Sequence, residues 1–164
     1  MSKKEKSIDD NNGTGEQQST VHLGSHEHAT DSRNCILIIE DNPLNMKLFR
    51  DLLQAQGYQV IEATDGRAGL DLTRAELPDL ILLDIHLPDI SGLEIAMKLK
   101  SEERTRDIPI VVITASLLSE SEQSALASGC DAFLRKPVAI SELRATIQAL
   151  LQDRSVRSGC EPTG

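Results

Sequence analysis

Four apolar runs in this chain are each followed by a side chain that could do chemistry. Glu40-Asp41 follows Ile36-Leu37-Ile38-Ile39, and Asp84 follows Leu80-Ile81-Leu82-Leu83. Thr114 follows Ile110-Val111-Val112-Ile113, and Lys136 stands just beyond Ala132-Phe133-Leu134. Three carboxylates, a hydroxyl and an ammonium are complementary as a set. Carboxylates held close together repel one another and desolvate poorly unless a cation sits among them. Oxygen-only ligands select a hard ion such as Mg2+. An ammonium and a hydroxyl beside them suit an incoming anion with several oxygens, meaning a phosphoryl group. Asp84, at the end of the run that reads as the central strand, is expected to be the most buried carboxylate and the nucleophile. Its attack on a phosphoryl donor would give an acyl phosphate.

These residues can meet only if the runs between them are strands of one sheet. The apolar runs at 36–39, 80–83 and 110–113 are short, continuous and rich in branched residues, and 60–61 and 132–134 are weaker versions. Between them lie stretches with helical spacing: Leu44, Leu48, Leu52 and Ala55, stopped by Gly57; Ala68, Leu72 and Ala75; Leu93, Ala96, Met97 and Leu99; the polar 121–128, closed by Gly129; and Ile140, Leu143, Ile147, Leu150 and Leu151. That alternation is (βα)5. Continuous apolar strands are buried on both faces, so the sheet is parallel with helices on each side. In such open α/β sheets, ligands bind outside the carboxyl ends of the strands. Met46, Phe49, Met97 and Cys130 read as core packing rather than as functional groups.

Composition limits the alternatives. The chain has 164 residues, 26 acids against 17 bases and a net charge of −9, which repels nucleic acid phosphates. Aromatic residues make up 2%, too few for a base-stacking platform. The longest apolar-looking run, Ile108 to Leu118, is far short of the roughly 20 residues that a membrane span needs, and the first residues are too polar for a secretory leader. Cys35, Cys130 and Cys160 are unpaired by spacing and fit free thiols in a cytoplasmic protein. Residues 1–33 are polar and read as a disordered tail, and 152–164 read as a flexible end. The acidity belongs to the middle, where 34–151 carries 18 acids and 11 bases. The tail histidines His22, His26 and His28 have no Cys or acid positioned to complete a metal cage.

With those residues in hand, the chain resembles the receiver domain of two-component response regulators. Glu40-Asp41, Leu83-Asp84-Ile85-His86-Leu87-Pro88 with Gly92, Ile113-Thr114-Ala115 and Lys136-Pro137 carry the resemblance over 34–151. The runs from Glu40 to Phe49 and from Leu87 to Glu94 are similar to those of single-domain regulators of cell division. The resemblance implies a flavodoxin/CheY-like doubly wound parallel five-stranded sheet in the order 2-1-3-4-5. It implies Asp84 as phosphoacceptor, and Mg2+ held by Asp41, Asp84 and the His86 backbone carbonyl, with Glu40 acting through water. Thr114 and Lys136 would bind the phosphoryl group, Phe133 would be the aromatic switch, and the bond to Pro137 would be cis. The His86 side chain reads as tuning the site rather than as a catalytic base.

The implied function is a cytoplasmic, monomeric, single-domain response regulator, not an enzyme. A sensor histidine kinase or a histidine phosphotransfer protein would phosphorylate it. It would signal by phosphorylation-dependent binding to a downstream protein in cell-cycle control, or pass its phosphate on along a relay. An Asp-nucleophile phosphatase of the haloacid dehalogenase type has similar electrostatics. It needs a second carboxylate two residues past the nucleophile as general acid, and this chain has His86 there.

Overall fold

Branched apolar runs without polar alternation need cover on both faces. The computed structural model, which describes residues 33–115 and 117–158, supplies that cover on both sides of one sheet. Among the described residues, strands and helices alternate as β1 (Cys35–Ile39), α1 (Pro43–Ala55), β2 (Gln59–Ala63), α2 (Gly66–Glu76), β3 (Leu80–Asp84), α3 (Gly92–Ser101), β4 (Ile110–Thr114), α4 (Glu120–Gly129), β5 (Ala132–Arg135) and α5 (Ile140–Ser158). The strands are all parallel, in the order β2-β1-β3-β4-β5. The fold is therefore the expected doubly wound α/β sheet. Nearly all of 1–33, with its histidines, lies outside the described residues, as do 159–164.

The two faces of the sheet follow from period-two alternation. Ile36, Ile38, Leu80, Leu82, Val111 and Ile113 pack with Met46, Phe49 and Leu53 of α1 and with Leu143, Ile147 and Leu151 of α5. Leu37, Ile39, Ile81, Leu83, Ile110 and Val112 pack with Leu70 of α2, with Ile95, Ala96 and Leu99 of α3, and with Leu118 ahead of α4.

Turn chemistry aims the helices. Asn42 caps α1 by accepting from the Leu44 and Asn45 amides, with Pro43 in the first helical position. At the other end Gly57, at φ 89°, donates to the Gln54 carbonyl, and Tyr58 donates to Leu53. That is a Schellman closure, and it needs the left-handed conformation that glycine adopts freely. Ser119 and Glu122 form a reciprocal capping box at the start of α4.

Three packing expectations are corrected. Helix α1 buries Met46, Phe49 and Leu53, while Leu44 is 77% and Leu48 55% exposed. Two overlapping apolar ladders run along this helix, and the one that wins carries the aromatic ring, which buries roughly 150–250 Å². Met97 is exposed, because α3 turns Ile95, Ala96 and Leu99 inward. Helix α5 continues to Ser158, so 152–158 is helical rather than a loose end. Its last turns are anchored by polar groups: Arg154 donates to the carbonyls of Pro78 (3.1 Å) and Asp79 (2.8 Å). No apolar period marks such an anchor.

Candidate functional site: an acidic rim at the strand ends

The parallel strands all end at the same edge, so the residues that close them are brought together. Asp84 ends β3 and Thr114 ends β4, while Glu40-Asp41 directly follows β1 and Lys136 directly follows β5. Oxygens of Glu40, Asp41 and Asp84 lie within 4.8 Å of one another. Lys136 Nζ donates to Glu40 Oε2 at 2.9 Å and to Asp84 Oδ2 at 3.1 Å. The ammonium thus bridges two of the three carboxylates whose repulsion the sequence made evident.

Glu40, not Asp84, is the most buried carboxylate of the three, 2% exposed against 6%. The longer Glu side chain reaches inward, and both its oxygens are engaged. Oε1 accepts the Asn42 amide at 3.0 Å and Oε2 accepts Lys136. Burial raises the Glu40 carboxyl above its ordinary range, against the pull of Lys136 and the Asn42 amide. Burial also works against the charge on Lys136. Its hydrogen bonds to Glu40 and Asp84 outweigh that, and its pKa lies above the usual lysine value.

Asp84 is oriented by its other oxygen, which accepts the His86 amide at 3.0 Å. Asp41 is exposed at the mouth of the cluster. Thr114 is fully buried, and its carbonyl accepts the Lys136 amide at 2.8 Å, which joins the ends of β4 and β5. The Lys136–Pro137 peptide is cis. Phe133 stands on β5 with 42% of its surface exposed, and His86 is an exposed residue of the β3–α3 loop. Cys130 is half-buried against the core, and desolvation pushes its thiol up to about 11. It behaves as a packing residue rather than a reactive one.

Two residues that the resemblance includes make contacts that sequence reasoning did not foresee. Asp89 accepts two amides from α2, a contact spanning more than twenty residues. Gly92, which opens α3, lies directly against the end of β3. A Cβ there would fall 2.4 Å from the Asp84 carbonyl oxygen and 2.8 Å from Ile85 Cα, and both are backbone atoms that cannot turn aside. Gly92→Ala is therefore expected to shift the β3–α3 loop and to cost about 1–3 kcal/mol of stability, as overpacking does. Thermal or urea unfolding measures this, and an unchanged midpoint would show that the loop gives way freely.

Residues 36–148 match the model of the response regulator receiver domain. The polar-differentiation response regulator DivK of Brucella ovis is 45% identical over 118 residues, covering 72% of this chain and 96% of that protein. The DivK of Brucella anthropi is 44% identical over the same length. Among solved structures, a CheY-like receiver from Methanospirillum hungatei superposes with a TM-score of 0.72 at 27% identity, covering 77% of this chain and 99% of that one. The receiver domain of a Pseudomonas aeruginosa sensor histidine kinase, solved with a magnesium ion coordinated in its active site cleft, gives 0.68 at 29% identity, with 74% and 99% covered. The strand-end carboxylates, the bridging lysine, the sheet order and these relatives agree, and the chain belongs to the response regulator receiver domain family.

Proposed function

We propose that this receiver is a phosphorylation switch of a two-component phosphorelay, with Asp84 as its phosphoacceptor. The observation that carries this reading is the convergence of Glu40, Asp41 and Asp84 on one rim with Lys136 among them. An Asp84 carboxylate oxygen attacks the phosphorus of a phosphohistidine. The P–N bond breaks, its electron pair returns to the imidazole, and the ring takes a proton from solvent. Lys136 is placed to follow the new charge, because its donors already lie 3.1 Å from Asp84. Thr114, on the adjacent strand, supplies a hydroxyl to the phosphoryl oxygens.

The donor set fits Mg2+. It is all oxygen and triply anionic, and its most exposed member, Asp41, gives an ion a way in. Asp41, Asp84 and the His86 backbone carbonyl would hold the ion directly, with Glu40 acting through water. When bound, the ion neutralises charge on the transferring phosphoryl oxygens. Asp41→Asn is expected to weaken Mg2+ binding at least tenfold, since it removes a directly bound charge, while Glu40→Gln costs less. Calorimetric titration of the three proteins checks this, and equal affinities would contradict it.

The partner that delivers phosphate is a sensor histidine kinase or a histidine phosphotransfer protein, and the same transfer run backwards makes the domain a relay. The surface beside the rim suits a helical donor. Leu44 and Leu48 of α1 and Ile140 at the start of α5 are exposed on the side of the sheet that these two helices share. An amphipathic helix could cover them while presenting its histidine to Asp84. Likeness to polar-differentiation regulators supports a role in cell-cycle control, exerted through binding of a downstream protein. No helix among the described residues is long and apolar enough to cross a membrane.

Incubation with acetyl phosphate and Mg2+ tests the reading. Mass spectrometry should find one phosphoryl group added per chain, and chelation should prevent it. Sustained turnover of a small phosphate ester without a phosphorylated chain would point to a phosphatase instead.

A further inference from the structure

The β3–α3 loop, residues 85–91, carries the His86 carbonyl assigned to the metal. Its base is fastened to β3 and to itself. The His86 amide donates to Asp84 Oδ1, and the Leu87 and Gly92 amides donate to the Ile85 carbonyl at 3.2 Å and 2.9 Å. Its tip is fastened differently. Asp89 Oδ1 accepts the Gly66 amide at 2.7 Å, and Oδ2 accepts the Arg67 amide at 2.9 Å. Gly66 and Arg67 open α2, whose own cap, Asp65, takes the Ala68 amide at 2.8 Å. Two carboxylates therefore share the first turn of α2, one from its own chain entry and one from a loop about twenty residues away.

The anchor is closely packed. Gly66 is buried, and a Cβ there would meet Ile95 Cδ1 at 2.8 Å, Asp89 Oδ1 at 3.1 Å and Ile90 Cβ at 3.2 Å. Helix α2 is held to the sheet by Leu70 and Thr73, both buried. Partial desolvation works to raise the Asp89 carboxyl, yet the amides of Gly66, Arg67 and its own loop outweigh it and hold it below the usual aspartate value. The side chain is therefore ionised at neutral pH, as an acceptor of two amides should be.

We propose that Asp89 is a positioning residue for the metal centre: by clamping the first turn of α2 with both carboxylate oxygens, it holds the β3–α3 loop so that the His86 carbonyl is preset for Mg2+. The proposal rests on the Mg2+ site described above. Residues that orient a ligand without touching the metal commonly change affinity by about tenfold or more when removed.

The control is built into the same helix. Asp65→Ala removes the neighbouring cap of α2 but takes nothing from the loop. Full-length wild type, Asp89→Ala, Asp89→Asn, Asp65→Ala and Asp41→Asn are compared by amide hydrogen exchange across 86–92 in chelator, by calorimetric Mg2+ titration and by thermal unfolding. Asp89→Ala is expected to speed loop exchange and to weaken Mg2+ binding about tenfold. Asp89→Asn, which keeps one acceptor, should fall between it and wild type. Asp65→Ala should lower the unfolding temperature with loop exchange and Mg2+ affinity unchanged. Wild-type affinity and exchange in Asp89→Ala would overturn the proposal. So would an equal loss of affinity in Asp65→Ala, because the effect would then be one of helix stability. Equal Mg2+ affinity in wild type and Asp41→Asn would instead overturn the metal site itself, and with it the role given to Asp89.

Discussion

Asp84→Asn is expected to fold and to gain no phosphoryl group from acetyl phosphate, whereas wild type should gain one. The expected effect is a complete loss, because an amide oxygen at this position is not a nucleophile toward phosphorus and the two other carboxylates of the cluster are engaged otherwise. Glu40 is more buried than Asp84 and has both oxygens occupied by Lys136 and the Asn42 amide. Asp41, at the exposed mouth of the same cluster, is given to the metal in this reading. The fold survives because an amide oxygen can still accept the His86 amide, as Asp84 Oδ1 does at 3.0 Å. Removing one negative charge relieves repulsion within the cluster, while Lys136 keeps its bond to Glu40 at 2.9 Å. The unfolding midpoint of the variant should therefore equal or exceed that of wild type when both are free of metal. Intact-mass measurement after incubation with donor and Mg2+ decides the matter. A phosphorylated Asp84→Asn chain would remove Asp84 from the site.

The expectation is strong because the part of the site that does chemistry was readable before any coordinates. In a parallel sheet every strand points the same way, so residues that end different apolar runs must share an edge. Ile36–Ile39, Leu80–Leu83 and Ile110–Ile113 are unbroken apolar runs, and their ends bring Glu40, Asp84 and Thr114 together however the helices are phased. Helix phase was harder to read. In α1 the ladders Leu44-Leu48-Leu52 and Met46-Phe49-Leu53 have nearly the same period, and only packing against β1 and α5 selects the second. Leu44 and Leu48 of the first ladder then form the surface beside the rim, while Leu52 packs partly against the core. Polar anchors were not legible at all. Arg154 binds carbonyls more than seventy residues away, and Asp89 binds the amides of a different helix. Hydrophobic periodicity carries no signal for either, because each is fixed by where two elements cross.

Thr114→Ala should accept phosphate at Asp84 and yet lose most of the response to it. The new dianion at the end of β3 sits beside β4, where the Thr114 hydroxyl can donate a charge-assisted hydrogen bond to it. The strand register says where that movement is felt. Val112 pairs with Phe133 and Thr114 with Arg135, so Thr114 and Phe133 lie on the same face of the sheet, two register positions apart. Phe133 is 42% exposed, and beside it a pocket of about 330 Å³ is lined by Leu118, Gln123, Ala127 and Cys130 between α4 and β5. If Thr114 moves toward the phosphoryl group, Phe133 is expected to turn into this space, and the surface formed by α4, β5 and α5 to change with it. Two-state coupling of this kind is worth about 1–3 kcal/mol, so a partner reading that surface should bind roughly tenfold tighter or weaker after phosphorylation. Removing the hydroxyl leaves the nucleophile, the carboxylates and Lys136 untouched, which is why phosphorylation survives while its consequence does not. The measurement is the affinity of a captured partner for wild type and Thr114→Ala, each before and after phosphoryl transfer. A variant that keeps the full affinity change would show that the signal leaves the site by another strand, and the β3–α3 loop would be the next place to look.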